Sequence, residues 1–158
     1  MSKIVERYTK IEDKILGWMG RHGIFLLRIC MGIVFFWFGF LKFFPGLSPA
    51  QGLATQTIEK MTFGLISPEV SIILLAVWEC LIGLGFLTGK FLRATLILLF
   101  LQMIGTTTPL FFFPQLAFTA VPYAPTLEGQ YIIKNLVLIS GGMVIGGSLH
   151  GKKKASEG

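Results

Sequence analysis

Apolar residues along the chain gather into four long runs, each close to the ~20 residues that a helix needs to cross the hydrocarbon of a bilayer. The pattern predicts spans over residues 24–44, 70–88, 91–113 and 131–149. Ahead of them, residues 1–23 read as an amphipathic leader helix. Ile4, Tyr8, Ile11, Ile15 and Met19 recur every three or four positions, while Lys3, Arg7, Lys10 and Lys14 take other faces. Such a helix is expected to lie in the membrane interface, with Trp18 at headgroup level. Between the first two spans, Ser48-Pro49-Ala50-Gln51 reads as a helix start with proline at the first helical position. Leu53, Thr57, Ile58, Met61 and Leu65 follow as an apolar stripe, so a short helix is expected over the outer mouth of the bundle. Ser67-Pro68-Glu69 repeats the start signal before span two. Pro109, after three threonines, is expected to bend span three near its outer end. The loop at 114–130 holds Pro114, Pro122 and Pro125 and is expected to be irregular, and residues 150–158 form a basic tail. The fold class is therefore all-α: an integral membrane four-helix bundle at 24–149, with an interfacial leader helix and a short outer-loop helix.

Composition agrees. Hydrophobic residues make up 53% of the 158 and charged residues 14%, against about a quarter charged in a soluble domain. The net charge of +6 does not mark a nucleic-acid partner, because the basic residues sit at the ends of apolar runs rather than in a stripe with exposed aromatics. Their distribution sets the topology instead. The leader carries Lys3, Arg7, Lys10, Lys14 and Arg21, the middle turn Lys90 and Arg93, and the tail Lys152, Lys153 and Lys154; the other two loops offer only Lys60. The expectation is a multi-pass protein of the cytoplasmic (inner) membrane with both ends in the cytoplasm. Its first partner is the lipid bilayer.

Within the spans, Gly85 and Gly89, and Gly142 and Gly146, form small-xxx-small pairs that let helix backbones approach where lipid offers no hydrophobic driving force. They serve packing within the chain or a homodimer or partner face. The ionisable residues Arg28, Lys42, Glu79 and Lys134 carry more information, since a charge at mid-membrane costs ~2.5–3.5 kcal/mol and normally faces the bundle interior with a partner. Arg28, Gly32, Phe35, Gly39 and Lys42 share one helical stripe. Arg28 lies a turn above the cytoplasmic end, where snorkelling is open to it. Lys42 and Lys134 sit at similar heights near the outer ends of antiparallel spans, as anchors or as pocket residues. Glu79 falls near the middle of span two, where a carboxyl needs a proton or a cation beside it. Gln102 on span three lies at comparable depth, within hydrogen-bonding reach of Glu79; Glu128, Gln130 and Asn135 flank Lys134. Together these residues outline a polar pocket in the outer half of the membrane, against the blander reading of structural Glu–Lys and Glu–Gln contacts.

Cys30 and Cys80 lie inside spans, at similar depths when counted from the cytoplasmic ends, which admits a redox pair beside the commoner role of buried cysteine as a small hydrophobe. His22 and His150 flank the first and last spans and do not make a metal site. No phosphate loop, nucleophile–base set or cysteine metal pattern is present, and no covalently bound cofactor is expected.

Three stretches, RICMGIVFFWFGFLKFFP from Arg28, WECLIGLGFLTGKFLR from Trp78 and EGQYIIKNLVLIS from Glu128, resemble the DoxX-like family of small four-span membrane proteins. The likeness extends over about residues 24–150. It implies a four-helix membrane bundle and, for some members, quinone-linked redox work, as in a subunit of thiosulfate:quinone oxidoreductase; others are similar to accessory proteins of oxidative-stress systems. Two functions follow. In the first, Lys42, Lys134 and Arg28 attract an anionic substrate or a quinone oxygen, Glu79 relays a proton, and Trp37 and Trp78 wall the ring site. In the second, the same pocket binds a small anion or lipid headgroup in a non-enzymatic carrier, accessory or assembly protein. Transport alone is less favoured, since the four spans lack the paired inverted repeats common in secondary transporters.

Overall fold

The computed structural model describes residues 3–48 and 51–157, with side chains described for 7–48 and 51–149. Four of its helices are long and apolar enough to cross a membrane. They are α1 (Lys3–Leu41), α3 (Pro68–Thr88), α4 (Leu92–Thr107, carried on by the short α5, Pro109–Phe112) and α7 (Leu127–Glu157). They run alternately up and down, so both chain ends lie at one end of the bundle, the terminal end. The short helix α2 (Gln51–Met61) lies at the other, the far end.

The leader and the first span are one helix. An interfacial leader turned into the membrane plane needs a break, and α1 has none from Lys3 to Leu41. Its first third therefore continues the axis of the span. At the other end, Pro49 and Ala50 of the expected helix start before α2 lie outside the described residues. The second start signal acts as expected: Ser67 is extended at the N-cap, Pro68 takes the first helical position and Glu69 stands in the first turn. Between α3 and α4, Gly89 caps in the left-handed region (φ 70°), which glycine enters without a Cβ penalty.

Thr108 stands between α4 and α5 with helical dihedrals (φ −59°, ψ −32°), so the span runs on to Phe112 and its regular pattern is interrupted just before Pro109. One expectation about the far-end loops needs correction. The proline-rich loop is ordered: α6 (Pro114–Ala117) leads into an antiparallel pair of strands, β1 (Phe118–Ala120) and β2 (Ala124–Pro125). Thr126 then closes the loop, its N–H donating to the Ala117 carbonyl at 2.9 Å and its hydroxyl to the Leu116 carbonyl at 2.7 Å. The same Oγ1 accepts the Gly129 N–H at 3.1 Å, which is an N-cap. That cap starts α7 at Leu127, ahead of the Tyr131 read from apolar residues alone.

Close backbone contact sets the register of the bundle. A methyl added at Gly83 would stand 2.5 Å from the Phe36 nitrogen, and one at Gly39 would stand 2.8 Å from the Glu79 Cβ and 2.9 Å from the Cys80 nitrogen. Gly85 lies against Thr95, Gly89 against Arg28, Gly142 against Leu99 and Gly146 against Leu96. The small-residue pairs are thus used inside the chain, and they do not supply the homodimer face that was the other expectation. Met31, Phe35, Ile82, Phe86, Leu96, Leu99, Met103 and Ile145 form one buried cluster. Most of it lies toward the terminal end from Glu79.

Candidate functional site

Glu79 stands at the middle of α3, on the face buried against α1 and α4. Gly39 lets α1 approach so closely that Lys42, one residue past the helix end, can lay its side chain back along the bundle. Its Nζ meets the Glu79 Oε2 at 2.6 Å and donates to the Phe38 carbonyl at 3.3 Å, one of the last carbonyls of α1. From α4, the Gln102 Nε2 donates to the Glu79 Oε1 at 2.8 Å. The lysine and glutamate side chains are 11% and 10% exposed, and Gln102 is 7% exposed. Lys42, Glu79 and Gln102, from three different segments, thus form one buried cluster in which each carboxylate oxygen has its own donor.

The orientation of Gln102 follows from its partner. A carboxylate only accepts hydrogen bonds, so the amide must turn its NH2 toward Glu79. Its carbonyl Oε1 then points away, and among the described residues it is a buried acceptor with no hydrogen-bond partner. Such an atom costs about 1–3 kcal/mol when unpaired, so it marks a place for a donor. One turn further along α4 on the same face, the Thr106 Oγ1 accepts from the Asn135 Nδ2 of α7 at 3.3 Å. A polar seam therefore climbs from Glu79 toward the far end of the bundle.

The other sequence candidates stand apart from the cluster. Arg28 lies at the terminal end, its guanidinium against Gly89 and 5.4 Å from the Phe25 ring centroid. Fourteen residues separate it from Lys42 on one helix, about 21 Å, so the two cannot hold one small anion. Arg28 instead faces the carbonyl end of α3, where a cation is favoured. Lys134 is exposed and lies 5.7 Å from the Tyr131 ring centroid. Glu128 stands in the first turn of α7, complementing its dipole. Trp37 is 63% exposed on the outside of α1. The Trp78 Nε1 donates to the Leu98 carbonyl at 3.1 Å and ties α3 to α4. The Trp37 indole thus faces away from the Glu79 cluster.

The two cysteines are not level. The Cys80 Sγ lies 3.9 Å from the Phe36 carbonyl. Cys30 is six residues below that point on α1, about 9 Å along the axis, and is exposed. Counting from span ends misjudged the offset because the glycine contacts, not the span ends, fix the register. No group of three or more His, Cys, Asp or Glu side chains among the described residues could hold a metal ion.

Sequence reasoning passed over Thr106 as a partner for Asn135, and its signal was the four-residue step from Gln102. It also passed over Lys60, which lies 5.2 and 4.8 Å from the ring centroids of Phe112 and Phe113 and fastens α2 to the far end. Neither kind of pairing between helices is visible in one sequence.

Comparison with known proteins bears on the same residues. No curated protein and no solved structure matches the chain. A family model described as DoxX matches residues 23–115, a stretch that includes α3, α4 and the spanning part of α1. Glu128, Lys134 and Asn135 fall beyond the match, whereas Lys42, Glu79 and Gln102 all fall within it. With more than half its length inside that model, the chain belongs to the DoxX family.

Proposed function

We propose that this membrane protein binds a lipid-soluble quinone at the Lys42–Glu79–Gln102 cluster and serves as the membrane component of a quinone-linked redox system in the cytoplasmic membrane. One observation carries the reading: a buried cation, carboxylate and amide meet beside the middle of the spanning helix α3, with the amide carbonyl still able to accept. A charged group at that depth is expensive, and its usual return is a substrate or proton path.

The residue types match both forms of the substrate. The Lys42 ammonium has hydrogens to share with a quinone carbonyl, and the Gln102 Oε1 accepts from a hydroxyl of the reduced form. Conversion of quinone to hydroquinone takes two electrons and two protons. Glu79 lies where it can pass protons one at a time, and the Thr106–Asn135 pair continues the polar route toward the far end. Electrons arrive from a separate donor protein, as the family resemblance implies for thiosulfate-linked members. The anion-carrier alternative is weaker on this geometry. The charges of Lys42 and Glu79 cancel, while Arg28 and Lys134 stand elsewhere.

The test uses the purified chain in detergent: solvent extraction for bound quinone, then titration of a soluble quinone analogue into wild type and Glu79→Gln. Saturable binding that the substitution weakens severalfold supports the reading. No extracted quinone and equal titrations for the two proteins refute it.

A further inference from the structure

At the terminal end, where α3 turns into α4, one span stops at Thr88 and the next starts at Leu92. The turn between them therefore stands where the helices leave the hydrocarbon, at headgroup level. Gly89 opens the turn and also leaves room in it, because the Arg28 guanidinium occupies the place that a side chain on residue 89 would take. Arg28 is half-buried there. The dipole of α3 draws a cation to this spot, and the Phe25 ring lies beside it. Among the described residues, however, no carbonyl or carboxylate accepts a hydrogen bond from Arg28. A guanidinium holds several N–H donors in a planar fork, and here they have no acceptor.

Two more cations stand close by. Lys90 follows Gly89 directly and Arg93 lies in the first turn of α4, both exposed. No described carboxylate offsets the three. Asp13 is fifteen residues back along α1, about 22 Å, and Glu79 is ten residues back along α3, about 15 Å, where Lys42 already holds it. Apolar rings flank the cations. Phe25 is 54% exposed, and Phe91 is 84% exposed in a left-handed conformation (φ 55°) that bulky residues rarely adopt.

We infer that Arg28, Lys90 and Arg93 hold the phosphodiester of an anionic phospholipid. The Arg28 fork matches two phosphate oxygens at once, and basic pockets between spans are suited to anionic headgroups. The level of the turn and its exposed rings favour a lipid over a soluble anion. The absence of a carboxylate favours a headgroup without an ammonium, such as phosphatidylglycerol, because choline or ethanolamine would bring a fourth cation among three. The site lies about 21 Å along α1 from Lys42 and is independent of the quinone cluster.

The purified full chain in detergent tests this. It is incubated with equal amounts of phosphatidylglycerol and phosphatidylcholine, and the lipid each chain keeps is counted by native mass spectrometry as collision energy rises. The expected result is one phosphatidylglycerol per chain, retained after phosphatidylcholine has left and not displaced by inorganic phosphate. Arg28→Gln lowers the retained fraction severalfold. So does Lys90→Gln with Arg93→Gln, which leaves Arg28 in place and decides the matter if Arg28→Gln does not fold. Lys14→Gln removes the same charge fourteen residues away on α1 and leaves retention at the wild-type level. Equal retention of the two lipids overturns the proposal, as does wild-type retention in the double variant or in folded Arg28→Gln. A loss in Lys14→Gln as large as theirs also overturns it, by showing attraction to net charge alone. Displacement by inorganic phosphate does the same, by showing a site for the free anion.

Discussion

The two halves of the bundle are built on different principles. Toward the terminal end, Met31, Phe35, Ile82, Phe86, Leu96, Leu99 and Ile145 form an apolar core between the helices, and the buried Thr95 hydroxyl bonds only within its own helix, to the Phe91 carbonyl. From the level of Glu79 toward the far end, the same helices share a Lys–Glu–Gln cluster and a Thr–Asn pair. Lipid tails are as apolar as leucine, so the first half gains nothing from escaping water and is held by shape, through glycine contacts and dense packing. The second half spends part of that stability on buried polar groups that need their partners at fixed places. The terminal half therefore sets the register and the far half uses it. Gly39 and Gly83 join the two, because they decide which residue of α1 faces Glu79.

Breaking one partner of the ion pair should have the largest effect. Lys42→Leu leaves Glu79 buried without its cation and is expected to cost about 3–5 kcal/mol, read as a lower thermal unfolding midpoint in detergent. Leu99→Ala opens a cavity in the apolar half and is expected to cost about 2–4 kcal/mol by the same measurement, while quinone-analogue affinity per folded molecule stays at the wild-type value. Gly83→Ala attacks the link between the halves. Its methyl meets Phe36 backbone, so about 1–3 kcal/mol is lost, and analogue binding falls with it because Lys42 is moved off Glu79. Asn135→Leu is the smallest change, at about 0.6 kcal/mol, the average for a hydrogen bond between membrane helices. Chemical denaturation in mixed micelles resolves a shift of that size, and a loss as large as that of Lys42→Leu would show that the two polar layers are not separable.

Much of this was legible in the sequence, and the failures have a common cause. The four spans announce themselves because a helix must be apolar for its whole crossing. Glu79, Lys42 and Gln102 stood out because charged and amide groups are rare at that depth. The sequence left Lys42 and Lys134 as equal partners for Glu79, since both lie near the same end. The choice between them rests on Gly39, whose missing side chain brings α1 against Glu79. The ordered loop before α7 depends on Thr126 bonding to Leu116 and Ala117, a contact between segments that no local pattern encodes. The continuity of the leader with α1 escaped notice because a charged, amphipathic stretch followed by glycines looks like a separate element.

The most direct test of the central claim replaces the polar cluster as a whole. In Lys42→Met, Glu79→Leu, Gln102→Leu no buried charge or amide is stranded, so the chain should fold with a thermal midpoint at or above that of wild type. The measurement is quinone-analogue binding to that variant beside wild type. The expected result is a folded protein that no longer binds. A folded variant that binds the analogue as tightly as wild type would contradict it.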